Sequence, residues 1–255
     1  MMNEKKISGA QANSSSEAHA SEWRVDEGNS STRAKSLSQE RFGKYAQGYV
    51  KSQTHAKGYD LERLLELAQP QPDWIVLDIA TGGGHTALTF APHVKKVIAT
   101  DITPKMLEAA RQHITGQGIT NVDFEPADAE NLPFEDIAFD LVTCRIAPHH
   151  FPNCARFVRQ AARVLKNGGL FLMQDQVLSE DAATAQYMDD FDRARDPSHH
   201  KAYGQSQWMA MFEVTGLAVE HSEEITKRHN LIHWVETQGH RPELVEELRL
   251  RLIDA

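Results

Sequence analysis

The chain has 255 residues, with 27 Lys and Arg against 36 Asp and Glu, a formal charge of −9, and 40% apolar residues. That length suits one sizeable core with trimmings, and the acidity argues against a nucleic-acid backbone as partner, which takes a basic patch or stripe. Two cysteines, Cys144 and Cys154, are too few for a disulfide framework. No apolar run reaches membrane-spanning length and no apolar secretory segment opens the chain, so a reduced, cytoplasmic setting without a membrane span is expected.

Residues 1–36 are rich in Ser, Ala, Glu and Asn, too polar to offset the entropy of ordering, and read as a disordered tail. Phe42, Tyr45, Ala46 and Tyr49, then Leu61, Leu64, Leu65 and Ala68, recur at helical spacing before Pro70 and Pro72. They predict two N-terminal helices over 37–72. A strand over 74–80 runs into Gly82-Gly83-Gly84 and a helix to about Pro92. A second strand over 96–102 precedes Thr103-Pro104, a helix opening, whose apolar face is Met106, Ala109, Ala110, His113 and Ile114. Strands follow over 122–127 and 139–145, then a helix over 154–166 stopped by Asn167-Gly168-Gly169, and a strand over 170–175. This alternation predicts an α/β core over 73–255, a Rossmann-like, doubly wound, mostly parallel sheet with helices on both faces.

Past the fifth strand the rhythm breaks. The polar stretch 178–205 is long for a connection and reads as an insertion over the ligand site. A helix over 206–215, an imperfectly alternating strand over 217–225 and helix-like stretches over 230–238 and 242–253 complete the chain.

Three acidic stations mark the strand ends. Asp78 precedes the glycines, which let a ligand approach bare backbone. Asp101 stands 23 residues further on at the end of the second strand, where an acid accepts hydrogen bonds from ribose hydroxyls. Asp128 and Ala129 follow the third strand, where an acid can accept from an exocyclic adenine amine. Each alone is also a plain turn, cap or loop; the pairing of Asp78 with Asp101 is the stronger signal. His199 and His200 lack a third ligand, so no metal is expected. Cys144, inside a buried strand, reads as inert.

The phrases VLDIATGGGH (76–85), DIT (101–103), DAENLPF (128–134), TCRIAPHHF (143–151) and RVLKNGG (163–169) together resemble the class I S-adenosylmethionine-dependent methyltransferases. They are most similar to the branch of the ubiquinone/menaquinone C-methyltransferases. The resemblance implies S-adenosyl-L-methionine as cofactor, S-adenosyl-L-homocysteine (SAH) as product, and a small-molecule acceptor, with quinone-type, aromatic or apolar acceptors and C- or O-methylation among its chemistries. It implies that Asp78, Ala80, Gly82 and Gly84 line the methionine moiety. Asp101 would hold the ribose, Ile102 and Met106 the adenine face, and Asp128 and Ala129 its edge. Arg145 and Ile146 would sit under the sulfonium and carboxylate, and the N-terminal helices over 37–72 would form a helical lid. Ala80 replaces the family's common glycine, which a negative φ would tolerate. Such displacement asks for alignment and a dry site, and for a base only where the acceptor carries a proton. His149, His150 and Tyr45 are the catalytic candidates, with His55 and Asp175 also in reach; each histidine can equally be a packing residue. The seventh strand of that family is not evident, so a truncated chain, a natural variant and a strand borrowed from a partner, and with it a homo-oligomer, all stay open. The alternative function is a non-catalytic regulatory or scaffold protein that binds the same cofactor.

Overall fold

The computed structural model of the protein describes residues 29–51, 59–228, 230–236 and 241–253. Most of the tail, 1–28, and the candidate His55 lie outside the described residues. Two helices come first, α1 (Asn29–Lys51) and α2 (Tyr59–Ala68). Then β1 (Ile75–Ile79), α3 (His85–Phe90), β2 (Lys96–Asp101), α4 (Pro104–Thr115), β3 (Val122–Pro126), β4 (Phe139–Arg145), α5 (Cys154–Val164) and β5 (Leu165–Gln174) alternate. The five strands form one parallel sheet in the order β3-β2-β1-β4-β5. Both halves wind outward from β1 and β4, so the crevice beyond the carboxyl ends of these neighbours is the topological switch point, where ligands bind in open α/β sheets.

The strands are buried on both faces because successive side chains alternate. Leu77, Ile79, Val142 and Cys144 pack with Phe157, Val158 and Ala161 of α5. Val76, Val97, Ala99 and Leu141 pack with Phe90, Ala110 and Ile114 on the other side. α1 lies across the cavity end of the sheet, with Ala46 and Phe42 on Met106 and Ala109 of α4.

Four boundaries differ from the sequence reading. α1 begins at Asn29, ahead of the expected end of the tail at 36, because Lys35 is tied to the body of the protein by Asp128 and Glu130. α5 ends at Val164 and β5 starts at Leu165. The glycines expected to stop the helix lie inside the strand, where the register with β4 shifts. Residues 178–205 carry β6 (Val177–Leu178), α6 (Ala182–Arg195) and β7 (Tyr203–Gly204), a two-stranded parallel pair around a helix. The strand expected over 217–225 is absent. That stretch is exposed coil after α7 (Gln205–Glu213), tied by Arg63 to Glu223. α8 (Leu231–Glu236) and α9 (Pro242–Ile253) follow, close to their expected places, packed on α6 through Phe191, Val235 and Leu248. Among the described residues no sixth or seventh strand joins the sheet, and no helix is long and apolar enough to cross a membrane.

Candidate active site

The chain leaves β1 through a left-handed turn: φ is 53° at Ala80, 55° at Gly82 and 80° at Gly84. Ala80 thus violates the condition under which its methyl was expected to be harmless, and its φ costs about 1–2 kcal/mol. The turn is imposed by the neighbouring strand, since the Thr81 N–H donates to the Thr100 carbonyl at 2.7 Å. Ile146, at the end of β4, has the same φ of 53°. Strained backbone on two adjacent strand ends is the pattern found at functional sites.

Beyond these strand ends is a cavity whose open space, mouth included, is about 990 Å³. Asp78, Ala80, Gly82, Asp101, Ile102, Met106, Asp128, Ala129, Arg145 and Ile146 all line it. Gly84 does not. A Cβ there would stand 2.8 Å from Ile114 Cδ1, so this glycine serves close packing of α3 on α4, and Gly83 borders the cavity instead.

Asp78 is buried, and its carboxylate accepts from the Thr81 hydroxyl at 2.6 Å and the Thr143 hydroxyl at 2.8 Å. Burial pushes its pKa up, against these bonds and the Arg145 charge. The Asp101 carboxylate accepts from the Thr103 N–H at 2.8 Å and the Gly82 N–H at 3.1 Å. Burial pushes it up to about 6 in spite of those donors. Arg145 leans over α3 to α2. Its Nη1 lies 2.7 Å from Asp60 and its Nε donates to the Thr86 hydroxyl. Asp60 also takes Lys227 at 2.6 Å. Burial opposes its ionisation, but Lys227 and Arg145 outweigh that and hold its carboxyl below the usual range.

The roof is α1. Lys35, Ser38, Phe42 and Tyr49 line the cavity from one helical stripe. Lys35 Nζ bridges Asp128 at 2.8 Å and Glu130 at 2.7 Å. The Ser38 hydroxyl is buried with no hydrogen-bond partner among the described residues. Tyr45 sits on the flank of the stripe, away from the lining, with its ring 5.3 Å from the Lys44 ammonium. Tyr49 holds the place expected of Tyr45. The stripe spacing was present in the sequence, but Lys35 and Ser38 fell in the stretch read as tail.

The two candidate histidines part company. His149 is buried outside the lining. Its Nδ1 is 2.6 Å from Asp175 Oδ1, and its main-chain N–H donates to Asp175 Oδ2 at 2.8 Å. Burial lowers its pKa, but the Asp175 charge and hydrogen bond win and raise it. His150 lines the cavity, with Phe42 edge-on at 4.8 Å. Among the described residues no group of three or more His, Cys, Asp or Glu is arranged to hold a metal.

Residues 71–216 match a family described as "Methyltransferase domain". The chain belongs to the methyltransferase-domain family. Its parallel sheet with helices around it is the Rossmann-like fold of the methyltransferases it resembles. The methyltransferase YcgJ of Bacillus subtilis (strain 168) is 38% identical over 198 residues, 78% of either chain. The crystal structure of YcgJ superposes with a TM-score of 0.75 at 36% identity, over 77% of this methyltransferase and 84% of YcgJ. BH2331 of Bacillus halodurans C-125 gives 0.73 at 42% identity, over 75% and 83%. The ubiquinone/menaquinone biosynthesis C-methyltransferase UbiE of Ectopseudomonas mendocina is 38% identical over 113 residues, 43% of this chain and 44% of UbiE.

Proposed function

We propose that the cavity holds S-adenosylmethionine on the strand ends and directs its methyl group to a small, largely apolar acceptor beneath α1. The observation that carries this reading is Asp101: a buried carboxylate at the end of β2, beside the switch point, oriented by two main-chain N–H groups. Those donors leave lone pairs for ligand hydroxyls, and its pKa near 6 marks a group that gains from further donors. The orphan Ser38 hydroxyl is a second sign that a polar ligand completes the cavity.

The residues fit this cofactor. Asp101 would take the ribose, Ile102 and Met106 the adenine face, and Asp128 with Ala129 its edge. The turn from Ala80 to Gly83 and Ile146 would border the methionine part, with Arg145 nearby. When bound, the cofactor supplies an electrophilic methyl group on a sulfonium. Phe42, Ala147, Phe151 and Pro152 supply an apolar chamber that excludes water and restricts the acceptor's pose. The likeness to UbiE supports a quinone-like ring as one acceptor class. The helices α1 and α2 serve in this reading as the lid and 178–205 as an insertion over the acceptor side.

Calorimetry with SAH and a count of SAH formed in the presence of small aromatic acceptors test the proposal. Binding at micromolar or better affinity, with acceptor-dependent turnover, is expected. No binding sinks the cofactor site; binding without turnover on any acceptor moves the protein to the non-catalytic reading.

A further inference from the structure

We infer that His150 is the general base of the transfer, held in one tautomer by the main chain of the 178–205 segment, and that the acceptor is a hydroxyaromatic or enolic ring with an ionisable proton. The inference rests on the methyltransferase reading above and adds the acceptor class and the residue that selects it.

The argument starts with the Ser198 carbonyl, 2.9 Å from His150 Nδ1. A carbonyl oxygen only accepts, so Nδ1 carries the proton and Nε2 of the neutral ring presents a lone pair. No hydrogen bond to Nε2 exists among the described residues, and the ring lines the cavity. His149, whose Nδ1 pairs with Asp175, fails on the second count, since it lies outside the lining.

The Ser198 carbonyl is itself fixed. The Ser198 N–H and hydroxyl both donate to Asp196 Oδ1, at 2.9 and 2.5 Å, and the His199 N–H donates to the Asp196 carbonyl at 2.9 Å. His199 Nε2 pairs with Asp189 at 2.6 Å. The His200 and Lys201 N–H groups donate to the His149 carbonyl at 2.9 and 3.1 Å, which stitches this turn to the β4 loop. Arg41 of α1 faces Asp196 at 3.3 Å, so the roof closes on the same turn. Asp196 is therefore a positioning residue. The ring's charged and titratable neighbours are His149 (with Asp175 behind it), His199 and Asp196 (with Arg41 behind it). Burial, then the His149 charge, favours the neutral ring, against the pull of Asp196.

In the step itself, the acceptor's O–H or C–H proton passes to His150 Nε2. The electron pair released forms the bond to the methyl carbon, and the pair of the broken carbon–sulfur bond stays on sulfur. One positive charge leaves the sulfur as one appears on the imidazole, so the cavity carries the same charge throughout. An amine or thiolate acceptor already bearing a lone pair or charge would not need this arrangement.

The tautomer can be read without turnover. Long-range proton–nitrogen NMR on the nitrogen-15-labelled full chain, assigned with His150→Gln, is expected to show a protonated Nδ1 and a bare Nε2 at neutral pH. A protonated Nε2 overturns the proposal. With S-adenosylmethionine and catechol or a naphthalenediol as probes, His150→Gln is expected to lose roughly 100-fold or more in kcat while SAH affinity stays within about threefold. Asp196→Asn should mix the tautomers and lower kcat by roughly tenfold with KM little changed, a split that loosened packing alone would not give. Undiminished kcat in His150→Gln overturns the proposal, as does methylation of amine or thiol probes with none of the hydroxylated ones. Failure of the wild-type chain to bind SAH would instead overturn the cofactor reading.

Discussion

The floor and the roof of the cavity are held by different forces. On the floor, Asp78 and Asp101 are buried carboxylates fixed by threonine hydroxyls and main-chain N–H groups of the turn after β1, the start of α4 and β4, within a sheet packed on both faces. The roof is attached by long side chains: Lys35 on Asp128 and Glu130, Arg41 on Asp196, and Gln39 on the Ile102 carbonyl. Of these groups Lys35 and Arg41 keep part of their side chains in solvent, while Glu130 and Asp196 are buried. In the proposed reading, a floor built into the sheet under a roof of separate helices gives recognition of the constant ligand to the strand ends. It leaves choice of the acceptor to α1 and the 178–205 segment.

The largest expected effect comes from the wall of the floor, where one carboxylate serves two cations. Asp60→Asn removes the buried charge that Arg145, at the end of β4, shares with Lys227, and should destabilise the fold by about 3–5 kcal/mol, measured by urea unfolding. The folded-state pKa of Asp60 is depressed, so its contribution is present above the unfolded value of 3.8 and lost as pH falls through the folded one. The gap between wild type and variant should therefore close in acid. A variant as stable as wild type at neutral pH would show that the wall does not depend on this pair. A smaller effect is expected from the roof. Lys35 holds Asp128 Oδ2 while the Glu130 N–H holds Oδ1, so in the proposed site an adenine amine competes with Lys35, and Lys35→Met should tighten SAH binding by about threefold, read by calorimetry. Weaker binding would make Lys35 part of the site and not a rival for it.

The same contrast explains what the sequence made legible. Parallel strands buried on both faces are near-continuous apolar runs, and all five of the core were placed, β4 to the residue. The acids and glycines at their ends stand out because local rules put them there. Failures came where tertiary contacts overrule local ones. Ala80 keeps a left-handed φ because a hydrogen bond to β2 demands it. Gly168 and Gly169 look like a helix stop yet lie in β5. The alternation over 217–225 has no strand to pair with. Tyr45 and Tyr49 share a helix and a chemistry, and only the rotation of α1 over the sheet separates them. His150 borders the cavity and His149 does not, a difference of loop geometry that two adjacent histidines do not reveal in sequence.

The most direct test of the floor as the cofactor site is SAH calorimetry from pH 5 to 8 on wild type and Asp101→Asn. Ligand hydroxyls donate to the ionised carboxylate, while burial sets its pKa near 6 without ligand, so binding must deprotonate it below that pH. Wild-type affinity should be level above about pH 6 and fall by up to about tenfold per unit below it. Asp101→Asn should bind about 100-fold more weakly at pH 7.5 and lose that slope. Equal affinity of the two proteins across the range would contradict the assignment of the cofactor to these strand ends.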